Sequence, residues 1–454
     1  MKFIDDCDSL LPINLDVSYF NSPKELIWDL DDFRIKKTTD LLKENEEYDL
    51  VIIGGGLTGV SMAARANQNK MKKVAMIDKN DVLMGNFIYR TRNINQKVLR
   101  SPYRHHLGPV EQVSLADYAR LNHVHLSKGE KEMLKLDRKG ERAIPSLSVF
   151  LKHSAHVIKA NNILRNTFKG AVIAIDRVEG KWRITTDTKI INANRIILAL
   201  GNESKLKNSE LEKESLIPTY SALDDKTYEY LTDRINHVCV NGSGNTAAHV
   251  VYDALTKGKT VNWVLRSELV YRCADIPNEF WRTEGLSFYQ RLTIKERMKK
   301  LTDIYHGSAM PEHNNMFRQF IKKKKLIIHE NTSVKAEISN NEIELENGVK
   351  LKADIHVKSF GLKPAELPAI NLDLPSYNGF PILDDDTLKW SEGLYVASSL
   401  AALSLGPPAK NIDGMRMAIE KIFTDINEVN REGIVKNRNV WGTFGPVGNL
   451  RRLV

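Results

Sequence analysis

The stretch Tyr48–Asp78, YDLVIIGGGLTGVSMAARANQNKMKKVAMID, decides how the rest of the chain is read. Val51, Ile52 and Ile53 form a short apolar, β-branched run suited to a strand buried on both faces. Gly54, Gly56 and Gly59 follow in G-x-G-x-x-G spacing, with the helix-forming SMAARANQ behind them. The glycines fit a tight turn, close approach of backbone to a pyrophosphate, and close packing of helix on strand. The helix N-terminus adds unpaired N–H groups and a positive dipole end for phosphate. Val74–Ile77 predicts the second strand, and Asp78 at its end offers a carboxylate to a ribose diol. Strand, turn, helix, strand and terminal acid together predict a dinucleotide site rather than an ordinary glycine-rich turn.

The pattern recurs downstream. Val238–Val240 predicts a strand, Gly242-Ser243-Gly244-Asn245-Thr246-Ala247 supplies G-x-G-x-x-A, and the helix AAHVVYDAL leads to a strand at Val261–Leu265. Gly54 to Asp78 and Gly242 to Arg266 both span 24 positions. The residue at the end of the second strand has changed sign, from Asp78 to Arg266. A carboxylate suits a free ribose hydroxyl, whereas a guanidinium suits a ribose 2′-phosphate. The pair predicts a flavin dinucleotide (FAD) at the first site and NADPH at the second. Arg266 as an ordinary strand-end charge is the plainer alternative.

Between and around the two units the signals are local. Residues 1–45 precede the first strand; Ser22-Pro23-Lys24-Glu25 opens a helix with an apolar stripe of Leu26, Ile27 and Leu30, either a cap on the body or an oligomer contact. Leu83–Pro109 is rich in Arg, His, Asn and Tyr and reads mostly as loop. Its cluster Arg100, Ser101, Tyr103, Arg104, His105 and His106 is either cofactor-facing or plain surface. Val113–Asn122 predicts a helix capped by Ser114 with Asp117 at its third position, and Pro145–Ala160 another. Ala171–Ile175 and Trp182–Thr186 make a hairpin through Glu179-Gly180, and Asn194–Gly201 a strand ending in glycine. Ala274–Leu301 reads as a helical and loop insertion holding Trp281, Phe288 and Tyr289. Leu326–His329 is a strand, Glu342–Leu351 a hairpin through Asn347-Gly348, and Asp354–Gly361 a final sheet strand. Leu394–Ala397, a loop with Gly406-Pro407-Pro408, and a helix from Ile412 close the pattern, and the last twenty or so residues look irregular.

At 454 residues the chain has room for two or more domains, and its composition is that of a soluble globular protein. No apolar run reaches the roughly 20 residues of a transmembrane helix, and the acidic start lacks signal-peptide features. Cys7, Cys239 and Cys273 are the only cysteines and form no C-x-x-C, which argues against a disulfide framework, a zinc site and a redox dithiol. A cytoplasmic home and no metal are the expectations. The net charge of +9 gathers at Lys295–Lys300 and Lys322–Lys325, which read as solvated helix faces, not as a nucleic-acid surface.

IIGGGLTG with Asp78, RIILALG, VNGSGNTAAHV with VLRS, and SFGLKP at Ser359–Pro364 together resemble the flavoproteins with two dinucleotide-binding domains. Within them the chain looks most like the flavin monooxygenase branch, which includes N-hydroxylating and flavin-containing monooxygenases. The resemblance covers about residues 48–425. It implies an α/β fold of two Rossmann-like three-layer domains, the NADPH domain inserted in the FAD domain. The implied layout is an extension at 1–45, FAD domain at 46–205, NAD(P)H domain at 206–335, FAD domain again at 336–430, and a tail at 431–454. Implied cofactor contacts at the first site are Gly54, Gly56, Leu57, Thr58, Gly59, Asp78, Lys79, Arg100, His106, Gly201, Gly361 and Ser398. At the second they are Gly242, Ser243, Gly244, Asn245, Thr246, Ala247, Arg266 and Ser267. The implied reaction is hydroxylation of a nitrogen or sulfur on a small molecule through a peroxyflavin. A reductase without oxygen insertion and a catalytically silent flavin-binding partner are the alternatives. The resemblance leaves room for a homo-oligomer and gives no part to nucleic acid or membrane. Two departures stand out: disulfide reductases of this fold carry a cysteine pair after the first helix, absent here. Many relatives also have Gly-Asp where this chain has Ser398-Ser399, which removes the acid implied to bond the ribityl chain.

Overall fold

The computed structural model describes residues 2–3, 20, 30–43, 46–109, 112–208, 210–211, 215–224, 231–274, 276–281, 283–304 and 307–429. The expected helix opening at Ser22 and the tail at 431–454 lie outside the described residues.

β1 (Leu50–Ile53), α1 (Leu57–Gln68) and β2 (Val74–Asp78) follow the order read from the sequence. α2 (Gly85–Asn93) and α3 (Leu147–Ala160) come next, then β3 (Thr167–Lys169), β4 (Ile196–Leu198) and β5 (Asn202–Ser204). β6 (Thr219–Ser221), β7 (His237–Asn241), α4 (Asn245–Thr256), β8 (Thr260–Val264), β9 (Leu326–His329) and β10 (Ile355–Lys358) build a second unit. β11 (Leu362–Pro364) leads back to β12 (Lys389–Ser391), β13 (Leu394–Val396) and α5 (Ile412–Val429).

Two of the sheets, with strand orders β12-β13-β4-β1-β2-β3 and β6-β10-β7-β8-β9, carry the glycine turns. All their pairings are parallel except β12 with β13. Parallel sheets are covered on both faces, so their central strands are apolar throughout. Leu50, Val51 and Ile52 are fully buried, as are Val238, Cys239 and Val240, each large aliphatic worth roughly 1.5–3 kcal/mol on burial. In each sheet the strand before the glycine turn lies inside, flanked by strands reached in opposite directions. That is the switch point where α/β folds bind ligands.

β5 and β11 pair antiparallel, with Glu203 opposite Lys363, so the chain's two crossings between units run side by side. The inserted unit is longer than expected. β10 lies between β6 and β7, so the boundary placed at 336 falls inside the second unit, and the chain recrosses only at β11. A short apolar strand does not say by its own sequence which of two parallel sheets takes it.

The local readings hold in most places. The hairpin pairs Val172–Val178 with Lys181–Thr186 across Glu179-Gly180, both at positive φ as a two-residue turn requires. Glu342–Leu345 pairs with Lys350–Lys352. Ser114 caps its helix, its Oγ accepting from the Asp117 N–H at 3.1 Å. Helices at Gly85–Asn93, Lys128–Arg138 and Asn314–Lys322 differ from the reading of the sequence. α2 replaces part of the loop read at Leu83–Pro109, because its helical face is set by buried polar residues, Arg90 and Thr91 among them. Lys128–Arg138 is a helix with a full capping box from Ser127 and Glu130, a signal present in the sequence as S-K-G-E. The cysteine expectation also needs correction: Cys239 is free and buried, but Cys273 is disulfide-bonded. Among the described residues no helix is long and apolar enough to cross a membrane.

Candidate functional site

Gly54 follows β1 at φ +108°, and a Cβ there would lie 2.4 Å from the Ala199 carbonyl oxygen just past β4. Gly242 repeats the arrangement after β7, at φ +140° and 2.4 Å from the Ser359 carbonyl oxygen past β10. Only glycine has both that backbone conformation and that clearance. A Cβ on Gly56 or Gly244 would meet nothing within 4 Å, so the second glycine of each turn has an open approach for a pyrophosphate. The third position differs: a Cβ on Gly59 would strike the Gly54 carbonyl oxygen at 1.8 Å, whereas the second unit carries Ala247 there.

A cavity of about 600 Å³ opens at the first turn. Its wall includes Gly54, Gly56, Leu57, Thr58, Asp78 and Lys79 from the first unit, Arg100 from the following loop, and Gly201 and Ser398 from the sheet's far end. Asn245 and Thr246, the first residues of α4, reach it from the second unit. These expected residues are therefore brought into one space.

Others are not. Gly59 lies beneath the turn, and Gly242, Ser243, Gly244 and Ala247 form the second turn without entering the cavity wall. Arg266 and Ser267 stand exposed just past β8. Gly361, at φ +81°, lies between β10 and β11, one residue before the wall residue Leu362. His106 is absent from the wall and buried, its ring 5.2 Å from that of His153, and burial pushes its pKa down to about 2. Its neighbour His105 faces Asp413 instead, at 3.6 Å. Sequence reasoning missed the wall residues Asn86, Arg90 and Thr91 on α2, Ala365–Pro368 after β11, and Lys410–Ile412 at the entry to α5. Only the last had a signal, the small-residue loop before a helix.

The polar geometry around the turn is specific. Burial raises the Asp78 pKa, and N–H groups of Asn80 (2.7 Å) and Gly55 bond its carboxylate and oppose the rise. Asp78 thus shapes the turn as well as lining the cavity. Ser398 is in the left-handed region at φ +63°, and its Oγ accepts from the Gly201 N–H at 3.1 Å. Ser399 Oγ donates to the Gly201 carbonyl at 2.8 Å, so the serine pair clasps the end of the β4 segment. Arg100 reaches the other way. Its Nη2 donates to the Arg272 carbonyl (2.7 Å) and Ser308 Oγ (2.8 Å), and its Nη1 to the Ser308 carbonyl (3.3 Å). Arg90 joins the units too, donating to the carbonyls of Leu223 and Asn202, each at 3.1 Å. Among the described residues no group of three or more His, Cys, Asp or Glu is placed to hold a metal ion.

Residues 48–401 match the pyridine nucleotide-disulphide oxidoreductase family. The chain belongs to that family. It is an oxidoreductase of the class that couples FAD to a pyridine nucleotide. The fold is shared with DfoA, the desferrioxamine-pathway cadaverine monooxygenase of Erwinia amylovora. That likeness is at 17% identity and TM-score 0.65 over 87% of this chain and 97% of that one. Ornithine hydroxylase of Pseudomonas aeruginosa aligns at 14% identity and TM-score 0.65, covering 85% of this chain and all of the other. Bacillithiol disulfide reductase of Staphylococcus aureus aligns at 16% and TM-score 0.53, over 83% and 99%. At these identities the likeness shows the fold alone. In sequence, the aerobic glycerol-3-phosphate dehydrogenase of Staphylococcus haemolyticus is 52% identical over 42 residues. That is 9% of this chain and 7% of the dehydrogenase, so this chain spans only a small part of that relative's length.

The residues present fit the family's cofactors. Open approaches at Gly56 and Gly244 leave room for two pyrophosphates, and the cavity at the first turn is within the size range of cofactor sites.

Proposed function

We propose that this family member is an FAD-dependent, NADPH-using monooxygenase that hydroxylates a nitrogen or sulfur of a small molecule. The observation that carries the reading is the single cavity reached by the first glycine turn and by Asn245 and Thr246 of the second unit, with no cysteine in its wall. A flavin ring and a nicotinamide brought there share one space, and no cysteine lines it to take the electrons. The fold shared with a cadaverine monooxygenase and an ornithine hydroxylase lends support.

In this reading Gly54–Thr58 and Asp78 hold the adenosine half of FAD, with the α1 N-terminus toward the pyrophosphate. Gly201 and Ser398 border the ribityl and ring end. Asn245 and Thr246 orient the nicotinamide, and Arg266 selects the 2′-phosphate. Leu362, Leu367, Pro368 and Met415 supply apolar wall that excludes water from the reacting atoms. FAD, when bound, supplies hydride acceptance and oxygen activation; the chain supplies position, dryness and charge.

The family's name favours a second reading, a flavin-dependent NAD(P)H reductase without oxygen insertion. One experiment decides. The purified protein is given NADPH or NADH without air, then oxygen together with a panel of amines and thiols. Flavin bleached faster by NADPH, followed by oxygen uptake matched to hydroxylated product, supports the monooxygenase. Bleaching with electron delivery to a quinone or disulfide and no hydroxylated product supports the reductase. A protein that stays colourless after added FAD ends both readings. Cytoplasmic residence belongs to the proposal but stands against the bonded Cys273, since cytosolic disulfides are rare. A thiol count on protein taken directly from cells decides that point.

A further inference from the structure

Arg100 is a wall residue of the first cavity whose guanidinium leaves that cavity's own unit. Three of its bonds end on Ser308 and on the Arg272 carbonyl, both in the second unit. The segments carrying these acceptors are themselves tied together. The Arg272 N–H donates to the Ala309 carbonyl at 3.0 Å, and the Ala309 N–H to the Val270 carbonyl at 2.9 Å. The grip therefore falls on a pinned stretch of backbone, not on a loose side chain.

The residue before Ser308 explains why that stretch matters. A Cβ on Gly307 would lie 2.3 Å from Ser243 Oγ and 2.8 Å from the Gly244 N–H nitrogen. Gly307 is thus packed directly on the second glycine turn, on a side that leaves the approach over Gly244 open. One continuous line of contacts runs from the flavin cavity through Arg100, Ser308 and Gly307 to Ser243 and Gly244.

We propose that Arg100 is a positioning residue that fixes the second glycine turn, and the pyridine nucleotide on it, relative to the flavin cavity. The proposal rests on the reading that the second turn holds NADPH. A planar guanidinium suits the task because it donates in a fixed fork to several acceptors at once, which a lysine ammonium at the same place does not reproduce. Small displacements of a bound reactant cost large factors in rate, so a rigid tie between the two sites has a direct use. The rival explanation is that Arg100 merely glues the units together. Arg142 and Glu312 supply the control: they form a buried ion pair at 2.9 Å between the same two parts of the chain.

The test titrates NADP⁺ into FAD-loaded protein, following the flavin absorbance change, with melting temperature measured in parallel. Gly307→Ala is expected to weaken NADP⁺ binding at least tenfold, Arg100→Gln and Arg100→Lys about equally, and Ser308→Ala about threefold, with FAD retained. Arg142→Met is expected to lower the melting temperature while NADP⁺ affinity stays within twofold of wild type. If Gly307→Ala or Arg100→Gln does not fold, Ser308→Ala, the mildest change, decides. Wild-type affinity in Ser308→Ala and Gly307→Ala overturns the proposal. So does an Arg142→Met protein that loses NADP⁺ affinity as far as Arg100→Gln does. A wild-type protein that takes up FAD but gives no response to NADP⁺ instead overturns the underlying reading of the second turn.

Discussion

Gly54 and Gly242 sit in closely similar turns, at φ +108° and +140°, each with its missing Cβ 2.4 Å from the carbonyl oxygen of a neighbouring strand segment. The first turn opens on a cavity of about 600 Å³, to which the second unit gives Leu223, Asn245 and Thr246. The residues that end the second strands diverge as well: Asp78 is drawn in and bonds the Gly55 N–H, while Arg266 stays exposed. Similar local sequence therefore makes the same turn twice, and the neighbours packed over it decide what each turn can hold. α2, the Ser398–Ser399 clasp and the entry to α5 surround the first, whereas Gly307 is packed on the second.

The sharpest way to break this comparison is at the third motif position. Gly59→Ala drives a Cβ against the Gly54 carbonyl and is expected to cost about 3–4 kcal/mol and most of the bound flavin. The reverse swap, Ala247→Gly, is expected to cost only ~1 kcal/mol, the ordinary helix penalty of glycine. Thermal melts with flavin content read both, and equal effects would mean the two turns pack alike after all.

Next in size is Asp78→Ala, which leaves the Gly55 and Asn80 N–H groups without their acceptor. A loss of roughly 1–3 kcal/mol and weaker FAD retention are expected from chemical denaturation and spectra. Arg266→Ser, at the matching place in the second unit, is expected to leave stability within ~0.5 kcal/mol. It should lower the preference for NADPH over NADH about tenfold, the difference of one ~1.4 kcal/mol contact. An unchanged cofactor ratio would reduce Arg266 to a solvated strand-end charge.

The smallest effect is confined to the second unit and to acid. Burial pushes the Glu337 carboxyl up, but His356 Nδ1 at 3.3 Å and the N–H groups of Leu216 (2.7 Å) and Ile217 (3.0 Å) outweigh it and hold it at about 2. A folded pKa below the ordinary value near 4.5 gives stability that is complete above that value and lost as pH falls toward about 2. Melting temperature measured from pH 5 to pH 2 should fall less steeply in Glu337→Gln than in wild type. Parallel curves would assign the acid loss elsewhere.

Legibility in the sequence followed the range of the interaction. β1 with its turn, α1, the Glu179-Gly180 hairpin and the Ser114 cap were readable because each depends on residues a few positions apart. α2 was not, because Arg90 is buried against carbonyls more than a hundred residues away and breaks the apolar pattern a helix would show. His106 belongs to a cluster that looked like a cofactor loop, yet its ring turns to His153 while Arg100, six residues earlier, stays in the wall. The membership of β10 in the second sheet is likewise a matter of pairing partners, not of its own residues.

The sequence by itself determined two strand–glycine turn–helix units with one spacing, since the clearance at Gly54 and Gly242 admits no other residue type. Which unit owns the cavity, where the chain recrosses between β5 and β11, and how Arg100 reaches Ser308 were decided only by the tertiary structure. The reason is physical. Backbone conformation is fixed by neighbours along the chain, whereas enclosure, and with it what a site can bind, is fixed by surfaces that meet only after folding.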